Sequence, residues 1–538
     1  MIVLYILVVV AFIYAVINKS KHSLHMLQQN LYNENNRYLR WVGKNKKLFL
    51  DIDLIPIAIA LIGLFVIYDI KVASIICSVI VACLFIATGY LWDNRVKNSQ
   101  NKKKLVVTAR IKRLITTLTI IQMIPIVWGL FHLNDPFLWW VAILILAIIL
   151  YGNFFVTFIG KVINTPVEKC VYLHFKRMAQ TKLKEMSNLK IIGITGSYGK
   201  TSSKNILADI LNCKYNALPT PRNLNTYNGL IMTVNNNLDK FTDIFIAEMG
   251  AYVKGEIKGL CKLVKPQYGI LTTIGTAHLE TFGSEQNIID GKFELIESLP
   301  KDGFAVLNGD DPKQVNYKLK NNIRTIWVGI NNEDVDVRAT NIKCSGDGTT
   351  FDVMFKGDSK KYSFETKLLG NHNVYNILSG IAFGKEFGIE IDDLIQAVKN
   401  VKPVEHRLEL KPMNNFFMID DAYNSNPVGA KNAVEVLGLM PGIKVVVTPG
   451  MIELGEKEDE YNKTFGEQIA EVADYVVLIG EQKTKPIKEG LLTKGFDKEK
   501  IIVYNDVRDA YPFIGTLTKD GEVFALFEND LPDIYNEK

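Results

Sequence analysis

The sequence predicts an α-helical membrane region followed by two α/β domains, the first built around a phosphate-binding loop and the second Rossmann-like. Three observations carry this: apolar runs crowd into the first third, the glycine-rich stretch GITGSYGKTSS (193–203) lies between an apolar run and a helix-like segment, and short apolar runs alternate with helical stretches after residue 403. At 538 residues the chain is too long for one core and should hold about three units. The averages of 48% hydrophobic and 22% charged residues conceal that split. A net charge of +5 is small for this length and much of the basic excess sits in two early loops, so no nucleic-acid partner is expected. Six cysteines occur without a CxxC or a zinc-type spacing and read as reduced, buried thiols.

The membrane region is expected over residues 1–160. Residues 1–17 are almost wholly apolar but lack a basic n-region and an A-x-A-like cleavage site, so they read as a retained anchor rather than a signal peptide. Further apolar runs at 54–68, 72–92, 114–133 and 137–159 approach the roughly 20 residues a bilayer core requires, giving five expected spans. Lys19, Lys21, Arg37, Arg40, Lys44, Lys46 and Lys47 follow the first run, and Arg95, Lys97, Lys102, Lys103, Lys104, Arg110, Lys112 and Arg113 follow the third. The turns at 69–71 and 132–136 are poor in Lys and Arg, so both basic loops and everything after 159 are expected in the cytoplasm, with the N-terminus outside. No Asp, Glu, Lys or Arg sits mid-span, which favours an anchor or docking platform over a pump. Residues 161–188 are mixed and basic and read as a juxtamembrane linker helix.

The next domain is expected at 189–402. KIIGIT reads as a buried strand, GSYG as a tight turn, and KTSSKNILADIL as a helix with Ile206, Leu207, Ile210 and Leu211 on one side. Gly196, Ser197, Gly199 and Ser202 offer backbone donors at a helix N-terminus, and Lys200 adds a charge, a combination suited to a polyanionic phosphate chain. Thr201 would then ligate magnesium. The spacing departs from the strict G-x-x-x-x-G-K-[ST], with glycines at 193, 196 and 199, so the loop alone leaves the reaction open. TDIFIAEMG (242–250) reads as a strand ending in Glu248, and YGILTTIGTAHLETFG (268–283) as one ending near His278. Strand C-termini of a parallel sheet share one crevice, making both metal-ligand candidates. Taken singly, Glu248 reads equally as a solvated strand end and His278 as a loop histidine.

The motifs GITGSYGKTSS, EMGAYVKGEI, TTIGTAHLETFGS, Lys292 in DGKFELIESLP, LNGDDP, LLGNHNVYNILSG, HRLE and DDAYNSNP together resemble the Mur ligase family, in that family's order, from about Lys190 onward. DDAYNSNP and NHNVYN look most like its MurF branch, which adds D-alanyl-D-alanine to a UDP-muramoyl tripeptide. The resemblance implies an ATP-dependent, ADP-forming amide ligase of cell-wall synthesis: a carboxylate takes the γ-phosphoryl group, and an amine displaces phosphate from the acyl phosphate. It implies Lys200, Lys292 and His278 as catalytic residues, and Thr201, Glu248, His278 and Lys292 around Mg2+, Lys292 as a carbamate. Asn308 resembles the adenine contact, Asn225 a polar residue near the phosphates, and His372, Asn373 and Asn376 the nucleotide wall. Arg407 and Asp421 resemble a phosphate and a ribose contact, with Asn424, Asn426 and Glu453 near the incoming amine. Tyr198 stands where the family usually has asparagine, and Tyr423 where some members have lysine. The larger departure is the membrane block in place of the family's UDP-binding domain. It leaves room for a lipid-linked or polyglutamate-like acceptor, or for a membrane scaffold that binds nucleotide without catalysis. The expected location is the bacterial cell membrane, multi-pass, with cytoplasmic catalytic domains and cell-wall synthesis proteins as partners.

Residues 403–538 are expected to form the Rossmann-like domain, with strands in FFMIDD, KVVVTPG, YVVLIG, IIVYND and EVFALFE. A hinge near 401–403 would let it close on the nucleotide.

Overall fold

A computed structural model describes residues 2–45, 53–98, 104–345, 348–422, 425–452 and 454–530. The chain divides into two compact units, Met1–His174 and Phe175–Lys538.

The first unit is helical. Its elements are α1 (Ile2–Gln29), α2 (Arg37–Lys44), α3 (Leu54–Ile62), α4 (Lys71–Asn98), α5 (Ala109–Phe131), α6 (Pro136–Tyr151) and α7 (Asn153–Glu185), the last running on into the second unit. Its core gathers Tyr5, Phe12, Phe85, Trp139 and Trp140. The two indoles are satisfied inside it, Trp139 Nε1 donating to Ser78 Oγ at 3.3 Å and Trp140 Nε1 to Ser74 Oγ at 3.1 Å. Among the described residues, α1, α4 and α5 are each long and apolar enough to cross a membrane, whereas the sequence suggested five such runs. The run at 54–68 becomes α3 and a π-helical turn, Gly63–Ile67. Together they rise roughly 20 Å, short of a hydrocarbon core of about 30 Å. The run at 137–159 breaks at Gly152, where α6 and α7 meet at 85°.

The second unit carries two sheets. The first, in the order β2-β3-β1-β4-β5-β6-β7-β8-β9, comprises β1 (Lys190–Thr195), β2 (Ala217–Pro219), β3 (Ile244–Glu248), β4 (Tyr268–Leu271), β5 (Phe304–Asn308), β6 (Arg324–Gly329), β7 (Val337–Ser345), β8 (Gly348–Phe355) and β9 (Tyr362–Thr366). Pairing is parallel from β2 through β7 and antiparallel from β7 to β9. Strands β1, β3 and β4 are near-continuous apolar runs because helices cover both faces. The helix Lys200–Leu211 (α8) buries Ile206, Leu207, Ile210 and Leu211, as its spacing suggested. The second sheet runs β10-β11-β15-β12-β13-β14: β10 (Glu409–Pro412), β11 (Phe417–Asp421), β12 (Ile443–Thr448), β13 (Tyr475–Ile479), β14 (Ile501–Tyr504) and β15 (Val523–Glu528). Only its β10–β11 pair is antiparallel among the described strands.

One carboxylate ties the end of the first sheet together. Asp310, just after β5, accepts from the backbone N–H of Ile330 (2.6 Å), Asn331 (3.0 Å) and Asn332 (2.6 Å) and from the Tyr375 hydroxyl (2.7 Å). Burial pushes its pKa up, but these donors outweigh it and hold the carboxyl below its usual range. A depressed pKa stabilises the fold above the ordinary carboxylate range, the gain being lost only as pH falls through the folded value. Asp310→Ala should therefore cost about 2–3 kcal/mol through three orphaned N–H groups, and Tyr375→Phe about 1 kcal/mol. Thermal unfolding of the detergent-solubilised chain checks the order; equal midpoints for Asp310→Ala and the unsubstituted protein would refute it.

Candidate functional site

The loop between β1 and α8 is shaped by two glycines. A Cβ on Gly196 would lie 1.9 Å from Thr272 Oγ1, and Gly199 caps α8 at φ +80°, a region favouring glycine. Thr272 locks the loop by donating to the Tyr198 carbonyl at 2.6 Å, while Ser197 N donates to Thr273 O at 2.8 Å. The Ser197 amide is thus spent on the neighbouring strand connection rather than turned to a ligand. The first helical bond is Ser203 N to Gly199 O, so the N–H groups of Lys200, Thr201 and Ser202 precede it and form the donor end of the helix.

Lys200 folds back over the loop, its Nζ 2.7 Å from Gly196 O and 2.9 Å from Ser197 O. Desolvation lowers its pKa to about 8, with Glu248 pulling it up and Arg407 pulling it down. Glu248, at the end of β3, is 1% exposed and serves three partners. Thr201 Oγ1 and Asn225 Nδ2 donate to its Oε1 at 3.2 and 2.9 Å, and Lys204 Nζ pairs with Oε2 at 3.0 Å.

The four residues after Glu248 bring in the remaining expected ligands. Lys292 Nζ reaches the Ala251 carbonyl at 3.5 Å and lies 5.4 Å from the Phe282 ring centroid. The His278 ring stacks obliquely on Tyr252, with centroids 4.4 Å apart. His278 stands not at the end of β4 but seven residues beyond it, at φ 62° and at the start of the short helix Leu279–Phe282. Burial holds the Lys292 pKa well below normal, the Lys200 charge lowers it further, and Glu256 and Glu294 oppose.

Among the described residues no group of three or more His, Cys, Asp or Glu is placed to hold a metal ion. Glu248 supplies the acidic donor, so a bare Lys292 does not fit a cation, whereas a carbamate on that amine would supply a second carboxylate. Thr201, Glu248, His278 and such a carbamate are the residues that could hold Mg2+.

The nucleotide-wall residues fall less evenly. Asn376 Oδ1 lies across Gly199, 3.8 Å from where its Cβ would be. His372 Nδ1 is buried without a hydrogen-bond partner, and burial followed by the Arg407 charge lowers the ring's pKa to about 4. Asn373 is committed to the Leu369 carbonyl at 2.9 Å, and Asn308 Oδ1 accepts from Asp310 N at 2.9 Å, bracing its own turn. Arg407 faces Lys200, His372 and Asp421, linking the two sheets' ends. Asp421 accepts from Leu408 N at 3.3 Å, and burial raises its carboxyl to about 6 against the pull of Arg407. Asn426 Oδ1 caps the helix Pro427–Gly438 by accepting from Gly429 N at 2.9 Å. Asn424 and Glu453 lie outside the described residues, as does Tyr423.

Three contributors escaped the motif reading. Lys204 falls on the same helical face as Leu207 and Leu211, a position at which a lysine must find a buried partner. Thr272 gave no signal. Glu528 pairs in register with Asp421 across β11 and β15, and it takes the Ser425 hydroxyl at 2.5 Å.

Residues 194–384 match the Mur ligase middle domain and 406–527 the Mur ligase glutamate ligase domain. The chain is 33% identical to the UDP-N-acetylmuramoyl-tripeptide–D-alanyl-D-alanine ligase of Bacillus subtilis, over 65% of this chain and 75% of that one. It is 33% identical to the Escherichia coli enzyme of the same name, over 54% of this chain and 65% of that one. Among solved structures, MurF from Acinetobacter baumannii aligns with TM-score 0.60 at 27% identity, covering 66% of this chain and 77% of that one. MurF from Thermotoga maritima in complex with ADP aligns with TM-score 0.59 at 27% identity, covering 66% and 80%. A glycine-rich loop closed by Lys200, a buried glutamate beside it and both matched domains agree: the chain belongs to the Mur ligase family of ATP-dependent ligases and is MurF-like.

Proposed function

We propose that this ligase joins D-alanyl-D-alanine, or a closely related amine, to the carboxylate of a UDP-muramoyl tripeptide at the cytoplasmic face of the membrane, where α1, α4 and α5 hold it. The relatives' names support the substrates, and three helices of spanning length support the location. A lipid-linked acceptor and a non-catalytic scaffold are not favoured by those relatives. The observation that carries the reading is the convergence of Thr201, Asn225, Lys204 and Lys292 on the segment Glu248–Ala251, one turn from Lys200.

In this reading Lys200 and the amides at the start of α8 hold the β- and γ-phosphates and offset the charge that builds up as the phosphoryl group moves to the carboxylate. Thr201, Glu248, His278 and a carbamate on Lys292 would hold Mg2+, which would supply positive charge to offset that of the phosphates. Arg407, Asn376 and His372 line the nucleotide, with Asp421 on its ribose and Asn308 toward its base. His278 and Lys292 orient the reacting carboxylate's end of the site. Lys292 becomes a carbamate when its unprotonated amine nitrogen adds to CO2, giving the N-carboxylate and one released proton. Burial, which lowers the pKa of the amine, favours that addition.

Lys200→Ala should lower ATP-dependent phosphate release by at least about 100-fold with UDP-muramoyl tripeptide and D-alanyl-D-alanine as substrates; unchanged release would remove the assignment. Because the free site holds Lys200 near pH 8, ATP affinity should weaken as pH rises through about 8, as the ammonium is lost, and Lys200→Arg should abolish that decline. Equilibrium ATP titrations at several pH values decide this. Protein prepared in 13C-bicarbonate should show a carbamate carbon resonance that is missing in Lys292→Gln, and a spectrum unaffected by that substitution would refute carbamylation.

A further inference from the structure

The 85° corner between α6 and α7 is built rather than accidental. At the break, Lys19 Nζ donates to Tyr151 O at 3.2 Å, and the Tyr38 hydroxyl donates to Phe154 O at 3.1 Å. Asn153 accepts from Ser23 Oγ at 2.7 Å and donates to Ser20 Oγ at 2.9 Å, and Ser23 also meets Thr157 Oγ1 at 2.8 Å. Carbonyls and side chains freed by the interrupted helix are thereby satisfied in an apolar setting. Further along, Thr117 Oγ1 donates to Asn164 Oδ1 at 3.0 Å, and Arg113 grips Glu168 at 2.7 and 2.9 Å.

These two anchor points fix the direction of α7. Ser20 and Ser23 follow the apolar part of α1, while Arg113 and Thr117 open the apolar part of α5, and basic residues crowd both places. Both therefore lie at the same, cytoplasmic, level of the bilayer. Asn153 and Glu168 are roughly 22 Å apart along the helix, a distance that would carry a crossing helix through most of the hydrocarbon. The face turned away from the other helices is apolar: Phe155, Ile159, Ile163 and Val167 are 49, 51, 52 and 48% exposed. Lys169 and Lys176 follow one flank of it.

We propose that α7, from Asn153 to His174, lies in the plane of the cytoplasmic leaflet with this apolar face at the boundary of acyl chains and headgroups and its lysine flank on anionic phosphates. The occupant of the exposed face is thus anionic lipid, matched by exposed apolar residues spaced four apart and by a basic edge. The inference rests on the membrane location proposed above. A re-entrant segment or a fifth span would place the same residues at graded depths.

Spin labels test it in the full chain, reconstituted in phosphatidylcholine–phosphatidylglycerol vesicles. Labels are attached singly through Phe155→Cys, Ile159→Cys, Ile163→Cys and Val167→Cys, with exposed Cys83, Cys170 and Cys213 changed to serine and ATP-dependent activity retained. A fifth sample labels native Cys170 with Cys83 and Cys213 changed, so that no residue is introduced into α7. Collision rates with oxygen and with a water-soluble nickel chelate should place all five labels at one shallow depth, about 5–10 Å inside the headgroups. A steady depth gradient from 155 to 170 would overturn the proposal in favour of a span. Equal, high nickel accessibility in a chain that resists carbonate extraction would overturn it while leaving the membrane location intact. Release of the chain by carbonate would overturn both.

Discussion

The second unit is organised around one buried carboxylate, and the arrangement of the site follows from how that charge is neutralised. Glu248 ends a strand whose side chains are otherwise apolar, and an ionised carboxylate there is tolerable only if every oxygen is matched. Lys204, itself 0% exposed and held by the Arg222 carbonyl at 2.5 Å, supplies the countercharge to one oxygen. The other oxygen is left to Thr201 and Asn225. A single side chain thus ties the loop helix, the 220–226 connection and β3 into one rigid corner. Removing either member of such a buried pair strands the other, which ordinarily costs about 3–5 kcal/mol.

Around that corner the chain gathers positive charge in excess of negative. The Arg407 charge acts on Lys200 and the Lys200 charge on Lys292, and burial acts on both lysines in the same direction. The two differ in their neighbours: the Glu248 charge supports the ammonium of Lys200, whereas the Lys200 charge adds to burial in lowering Lys292, with Glu256 and Glu294 opposing. Lys200, held near 8, suits phosphate; Lys292, held well below the usual lysine range, suits covalent modification. The same physics separates two groups at the second sheet, where burial raises Asp421 and raises Glu528 further.

Much of this was legible in the chain. KIIGIT and KTSSKNILADIL coincide with β1 and α8 because the buried strand is uniformly apolar and the helix shows its period cleanly. FFMIDD, YVVLIG and EVFALFE likewise mark strands of the second sheet. His278 misled because TTIGTAH is apolar and β-branched enough to resemble a continuing strand, whereas Thr272 turns its hydroxyl onto the phosphate loop and ends β4 at Leu271. Asn426, before Pro-Val-Gly, also serves as a helix cap, a role that motif matching did not bring out. The apolar run at 137–159 concealed a corner, since Gly152-Asn153 is a weak break until Lys19, Ser20 and Ser23 from a distant helix meet it.

By itself the sequence determined the strands and helices of the second unit, the glycine-rich loop and the identity of the family, because periodicity, glycine placement and motif order are local or linear properties. Tertiary structure alone decided which lysine neutralises Glu248, which lysine is held furthest below its usual range by burial, and where an apolar run bends. Each of those depends on partners scores of residues away, and charge and solvation are set by what surrounds a group in space rather than by its neighbours in the chain.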